Sequence, residues 1–330
     1  MQEQFIVYSG FDLMQKFHVF LDKGDLTHKK LFMFEKENQN SSNDHMVCAM
    51  SSFDGLLPCQ RDLLSYCTGL CGGDKKKLLL LLCVYAGGNI LLSPDERIRM
   101  LNSKGYKNIL CCELHPDKKY SSTDFPGEYE AMVPGADIWK HKELIKLLKG
   151  RYGAKINDSF QGHDTPDHEK ISAMIAEGRV DEAARLLGYA FPLEGKVVEG
   201  NKIGRTLGYP TANLRLSDPQ KILPGQGVYT AVVNVSGSWY NSMVNIGIRP
   251  TLDLENVTVE AHIFDFERDI YGETISISFL SRIRDEMRFN SLSQLKTQLN
   301  HDRQSAIRML DEDLERINKG VFAELQEKEI

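Results

Sequence analysis

The chain has 330 residues, and at roughly 100–200 residues per domain that length points to two domains. Its composition, 42% hydrophobic and 26% charged with 26 Gly and 11 Pro, is that of an ordinary globular protein and argues against collagen-like, coiled-coil and disordered classes. A formal net charge of −6 argues against a broad nucleic-acid surface and leaves room only for a local basic site.

The first residues, Met1-Gln2-Glu3-Gln4-Phe5, show neither a basic region nor a long apolar stretch, so we expect a cytoplasmic protein with no secretory signal. Residues 38–44 form a polar, Asn- and Ser-rich run that reads as a surface loop. All seven cysteines (Cys48, Cys59, Cys67, Cys71, Cys83, Cys111, Cys112) precede residue 113. An odd number without a secretion signal suggests free thiols, and no paired Cys/His set completes a zinc site. Residues 78–85 are a continuous apolar run that suits a strand buried on both faces. Gly87-Gly88-Asn89 stops it well short of the ~20 residues a membrane span needs. Ser93-Pro94-Asp95-Glu96 then reads as a helix start, with Ser as N-cap and Pro at the first helical position. With that helix ending near Gly105 and a strand at 108–112, a βαβ unit and an α/β first domain follow.

From 168 to 188 the period is helical with one break at Gly178 and a cap at Gly188, and we expect this segment to bridge two domains. Beyond Phe191 the period alternates, predicting strands at 195–198, 228–235, 239–246, 257–264 and 274–280, with Ser236-Gly237-Ser238 as a hairpin loop. Short antiparallel strands argue a small barrel or closed sheet. A last helix is expected over 291–318, with Leu292, Leu295, Leu299, Ile307, Leu310 and Leu314 as its apolar residues.

Neither a G-x-x-x-x-G-K-[S/T] nor a G-x-G-x-x-G motif occurs, so any nucleotide must be held another way. The strongest cluster lies in 195–213, where Gly195, Gly200, Gly204 and Gly208 accompany Lys196, Lys202 and Arg205. Such a backbone can approach phosphate oxygens with cations beside it, or can simply be a barrel loop. In Pro210-Thr211-Ala212-Asn213, an extended backbone points Thr211 and Asn213 the same way. The pair fits a hard cation such as Mg²⁺, and it fits turn chemistry equally. Alternation over 257–264 sets Val259, Ala261 and Ile263 on one face and Glu260, His262 and Phe264 on the other. Glu260 is therefore a candidate general base for a hydroxyl, or a solvated strand residue.

Taken together, G-K-V-V-x-G-x-K-x-G-R-x-L-G-Y-P-T-A-N-L, the G-V-Y at Gly227, N-I-G-x-R-P-T from Asn245, V-E-A-H-I-F-D-F from Val259, Tyr271-Gly272 and I-R-D-E-M-R-F from Ile283 resemble the riboflavin kinase family. The resemblance runs in order over 191–307. It implies a six-stranded antiparallel barrel of riboflavin kinase type with a C-terminal helix, phosphorylating the riboflavin 5′-hydroxyl from ATP–Mg²⁺ to give FMN and ADP. It further implies that Thr211 and Asn213 bind the metal and nucleotide, that Gly200, Lys202 and Gly204 belong to the phosphate-covering loop 200–204, that Glu260 is the base, and that Arg284 and Phe289 flank the flavin ring. The partners expected are riboflavin/FMN and ATP/ADP, with neither nucleic acid nor membrane.

In bacterial members this kinase commonly follows an FMN adenylyltransferase domain, and residues 1–188 resemble that nucleotidyltransferase-like, Rossmann-like domain in layout, leaving 189–330 for the kinase. Its chemical motifs differ. The pattern G-N-F-D-G-V-H-x-G-H stands here as Ser51-Ser52-Phe53-Asp54-Gly55-Leu56-Leu57-Pro58-Cys59-Gln60, so Leu57 and Gln60 replace both histidines. The S-S-T-x-I-R signature stands as Asp167-His168-Glu169-Lys170-Ile171-Ser172, whose acids would repel a triphosphate. We therefore expect an inactive first domain serving as a structural, regulatory or partner-binding module. A bifunctional FAD synthetase and a non-catalytic flavin sensor are the competing expectations.

Overall fold

The computed structural model describes residues 47–85, 89–114, 129–162, 168–201, 203–250 and 255–316. The polar run 38–44, Gly87, Gly88, Asp167, Lys202 and Thr251 fall outside them. The chain divides into two compact units, one of residues 1–88 and 92–167 and a second of 89–91 and 168–330.

In the first unit, four strands pair in the order β3-β2-β1-β4: β1 (Val47–Ser51), β2 (Leu78–Tyr85), β3 (Ile109–Leu114) and β4 (Ala131–Pro134). Every pairing is parallel, as the predicted βαβ unit requires, and the order is that of a Rossmann-like, doubly wound sheet. Being covered on both faces explains why β2 reads as an unbroken leucine run instead of alternating. Helices α1 (Pro58–Leu70), α2 (Pro94–Ser103), α3 (Ala136–Trp139) and α4 (Lys142–Tyr152) complete the unit. At the start of α2 the capping box closes as the sequence suggested: the Glu96 N–H donates to Ser93 Oγ and the Ser93 N–H to Glu96 Oε2 at 2.7 Å.

The second unit opens with α5 (His168–Ala176) and α6 (Val180–Leu187), separated at Gly178 (φ 80°) and ended by Gly188 (φ 81°), both in the left-handed region that favours glycine. These helices were expected to bridge two domains, and the division falls at 167/168, ahead of them. The reason is their buried face: α6 carries Val180, Ala183, Ala184 and Leu187 and lies against the barrel strands β5 (Phe191–Val198) and β10 (Thr274–Arg284). The remaining strands are β6 (Ala212–Leu216), β7 (Gly227–Val235), β8 (Ser238–Pro250) and β9 (Glu255–Ile263). They close a barrel in the order β10-β5-β6-β9-β8-β7, antiparallel throughout. Alternation predicted five of these strands; the sixth, β6, holds Thr211's neighbours and the two-residue turn at Ser236-Gly237 joins β7 to β8 as expected.

Two expectations need correction. The loop predicted over 200–204 is partly helical: α7 (Ile203–Leu207) begins inside it, and the Tyr209 N–H donates to the Gly204 carbonyl at 2.8 Å. The last helix, α8 (Leu292–Arg316), buries only part of the apolar face read from the sequence: Leu310 is in the core and Leu299 packs against it. Leu292 is 58% exposed and Ile307 39% exposed, whereas Asp302, Ala306, Leu310 and Asp313 are buried. Polar partners on the barrel wall, set out below, make two carboxylates the buried positions.

Candidate active site

The register of the barrel assembles the site. Asn213 on β6 stands opposite Glu260 on β9, Glu260 opposite Asn245 on β8, Asn245 opposite Val228 on β7, and Val228 opposite Arg284 on β10. Directly opposed residues share a sheet face, so five strands contribute one row to the outer wall. The opposite face, with Ala261, Val244 and Tyr229, is fully buried in the barrel interior.

At one end of this row, Thr211 Oγ1 donates to Glu260 Oε2 at 3.3 Å. Asn213 is buried, and its side chain lies in the space that a Cβ at Gly200 would occupy, with Oδ1 only 2.6 Å away from such an atom. Gly204 is held as closely, its missing Cβ position falling on the Tyr209 carbonyl and lying 3.6 Å from Thr211 Cγ2. The glycines at 200 and 204 therefore let their segment fold down onto Thr211 and Asn213. An oxygen-only donor set of hydroxyl, amide and carboxylate suits a hard divalent cation. Among the described residues no cluster of three His, Cys, Asp or Glu side chains offers an alternative metal site.

At the other end, Arg284 and Phe289 come together, the guanidinium carbon 5.9 Å from the ring centroid. Of the residues singled out from sequence, Thr211, Asn213, Glu260, Gly200 and Gly204 thus gather at one end and Arg284 and Phe289 at the other, and Lys202 lies outside the described residues. The geometry adds residues the motifs did not single out. Asn245 flanks Glu260 opposite Asn213. Gly247 leaves room for the Glu286 side chain, whose Cδ would be 3.0 Å from an added Cβ. On the same face as Glu260, the His262 ring packs edge-on against Tyr209 and Phe264, and its Nδ1 donates to the Pro210 carbonyl at 2.8 Å. Burial holds the His262 pKa below 6.5, the Pro210 hydrogen bond opposing and Arg303 reinforcing that direction. A bond to a carbonyl, which only accepts, fixes the neutral ring as the Nδ1–H tautomer.

In the first unit the strand order reverses beside β1, the place where open α/β sheets bind ligands. Here several polar groups are engaged by the protein itself. Asp137 takes the Ser52 N–H at 2.7 Å and the Ser51 hydroxyl at 3.0 Å. Gln60, at the second histidine position, donates to Ser52 Oγ at 3.2 Å and accepts the Leu57 N–H at 2.9 Å. Leu57, at the first histidine position, is buried. Asp54 is spent internally too, accepting the Leu92 N–H at 2.8 Å and pairing with buried Arg97 at 3.2 Å.

Residues 187–310 match the family model described as Flavokinase: Riboflavin kinase. The barrel is a riboflavin kinase family domain. Proteins named bifunctional riboflavin kinase/FMN adenylyltransferase are similar to this chain: that of Bacillus subtilis is 40% identical over 171 residues, 51% of this chain and 54% of its own. That of Listeria monocytogenes is 37% identical over 50% of this chain and 53% of its own, so the chain spans about half the length of these relatives. The Buchnera aphidicola protein of the same name aligns further, 28% identical over 80% of this chain and 93% of its own. A crystal structure titled as a macrolide-efflux protein from Streptococcus pneumoniae shares the fold, with a TM-score of 0.65 and 28% identity over 81% of this chain and 95% of that one. Among the described residues no helix is long and apolar enough to cross a membrane. In the riboflavin kinase family domain, the match takes in the whole row from Asn213 to Arg284.

Proposed function

We propose that the protein is a riboflavin kinase, transferring the γ-phosphoryl group of ATP to the riboflavin 5′-hydroxyl to give FMN and ADP. The observation that carries this reading is the register row. From Glu260 to Arg284 it crosses three strand spacings, about 14 Å along the wall at ~4.8 Å each. That span fits an extended molecule with a flat ring at the Arg284–Phe289 end and a reacting hydroxyl at the Glu260 end.

On this reading Glu260 accepts the hydroxyl proton as the oxygen attacks phosphorus and ADP leaves. Thr211, by donating to Glu260, orients its carboxylate, and the segment from Gly200 to Gly204 brings backbone against the phosphates. Thr211 and Asn213 would hold a divalent cation, taken as Mg²⁺, which when bound supplies neutralisation of phosphate charge.

The first unit, on our reading, does not adenylylate FMN. A carboxylate, Asp137, occupies the backbone N–H at the switch point, and Leu57 offers no donor to a phosphate. Chromatography of purified protein with riboflavin, ATP and Mg²⁺ tests both statements: FMN should accumulate without FAD. Glu260→Gln and Asn213→Ala should each lower kcat by about 10²–10⁴-fold while far-UV circular dichroism stays unchanged. A fully active Asn213→Ala would refute the metal assignment, and FAD formed at a rate comparable with FMN would refute the inactive first unit.

A further inference from the structure

Two carboxylates of α8 are buried against the barrel, Asp302 at 2% and Asp313 at 3% exposure. A buried charge is costly unless its lone pairs are matched, and each is matched differently. Asp313 accepts from two hydroxyls, Thr230 Oγ1 at 3.2 Å and Ser281 Oγ at 3.0 Å, and so ties the helix to β7 and β10. Asp302 instead grips one arginine side-on: Arg284 Nε donates to Oδ1 at 2.9 Å and Nη2 to Oδ2 at 2.7 Å. Gln298, one turn earlier on α8, donates to Oδ1 at 2.8 Å.

Resting on the kinase reading, we propose that Asp302 is a positioning residue for the flavin, acting through Arg284. Arginine carries five N–H groups in a rigid plane, and a free side chain would lose its many rotamers on meeting a ligand. Here three of the five are committed, two to Asp302 and one from Nη1 to the Asp285 carbonyl at 2.8 Å. The plane is thereby fixed beside Phe289 before any flavin arrives, with two N–H groups left for a polar edge of the ring system. The C-terminal helix is on this account part of the flavin site. The same helix also reaches the nucleotide end, where Asn300 Oδ1 accepts the Tyr209 hydroxyl.

Asp302→Asn in the full-length protein tests the idea, because an amide presents N–H groups to an arginine that needs acceptors. Lost charge-assisted bonds of this kind should raise the riboflavin KM, and the riboflavin Kd from flavin fluorescence quenching, by about 10-fold or more. The ATP KM should stay within about twofold, because Arg284 is remote from the phosphate end. Asp302→Glu should recover part of the loss. Asp313→Asn, which loosens the same helix elsewhere, should lower the melting temperature and leave the riboflavin KM alone. Gln298→Ala, at a half-buried position, gives a variant that folds even if Asp302→Asn does not, and it should raise the riboflavin KM by a smaller factor. An unchanged riboflavin KM in Asp302→Asn or, if that melts, in Gln298→Ala overturns the proposal, as does an equal rise in Asp313→Asn. Wild-type protein that binds riboflavin but makes no FMN would sink the kinase reading and leave the Kd arm to decide on Asp302; wild-type protein that binds no flavin would sink both.

Discussion

A methyl group at position 200 would land on the amide of Asn213, a buried side chain. Gly200→Ala should therefore push the amide out of place, and a displacement near 1 Å at a catalytic group costs about 100-fold in rate. We expect kcat to fall on that order with near-normal secondary structure, read by the FMN-forming assay and circular dichroism side by side. Gly247 is the informative contrast. Its added Cβ would meet chiefly the Glu286 carboxylate, the far end of an exposed and flexible side chain that can swing into solvent. Gly247→Ala should keep most of the activity. If both alanines were equally harmless, Asn213 would not be held where the row requires it.

Among the elements, β9 makes the stability of the barrel sensitive to acid through His262. His262 is buried and neutral, facing Tyr209 and Phe264, with Arg303 and Asp265 the charges nearest in effect. Its folded pKa is depressed, so as pH falls below about 6.5 the unfolded chain takes up a proton that the folded chain resists. The stability contribution is full above that value and is lost as pH drops. The urea midpoint of the barrel should fall between pH 7.5 and 5.5, and His262→Gln should shrink that difference. How legible such elements are depends on what their side chains face. The leucine run of β2 and the Ser93 capping box announced themselves, because burial on two faces and an orphaned N-terminus each demand particular residue types. Helix α4 carries the helical period in its sequence, with Leu144, Ile145, Leu148 and Tyr152 as the buried face. Strand β1, Val-Cys-Ala-Met-Ser, is short and poor in β-branched residues, and only its two neighbours in the sheet make it a strand. For α8 the apolar period found Leu299 and Leu310 but not Asp302 and Asp313, which hold core positions through partners on β7 and β10 that no local pattern contains. Glu260, Thr211 and Asn213 were legible as a set through their motifs, whereas the part played by Asn245 needed the register.

Over the whole molecule, the two units differ in a way that titration can read separately. All seven cysteines lie in the first unit, as free thiols, and the barrel has none. Burial pushes the Cys67 thiol up to about 12 and raises Cys48 and Cys83 well above the ordinary thiol range, all three being fully buried. In the unfolded chain such thiols ionise near 8.5. Between that value and the folded pKa the unfolded state holds fewer protons, so stability is full below about pH 8.5 and falls as pH rises. The chain's two tryptophans fall one to each unit, Trp139 in the first and Trp239 in the second. A Trp239→Phe protein therefore reports the first unit by fluorescence and a Trp139→Phe protein the barrel. Going from pH 7.5 to about 9.5, below the tyrosine range, the urea midpoint seen by Trp139 should drop while that seen by Trp239 holds. Equal shifts at both tryptophans would mean that alkaline loss of stability does not come from the buried thiols.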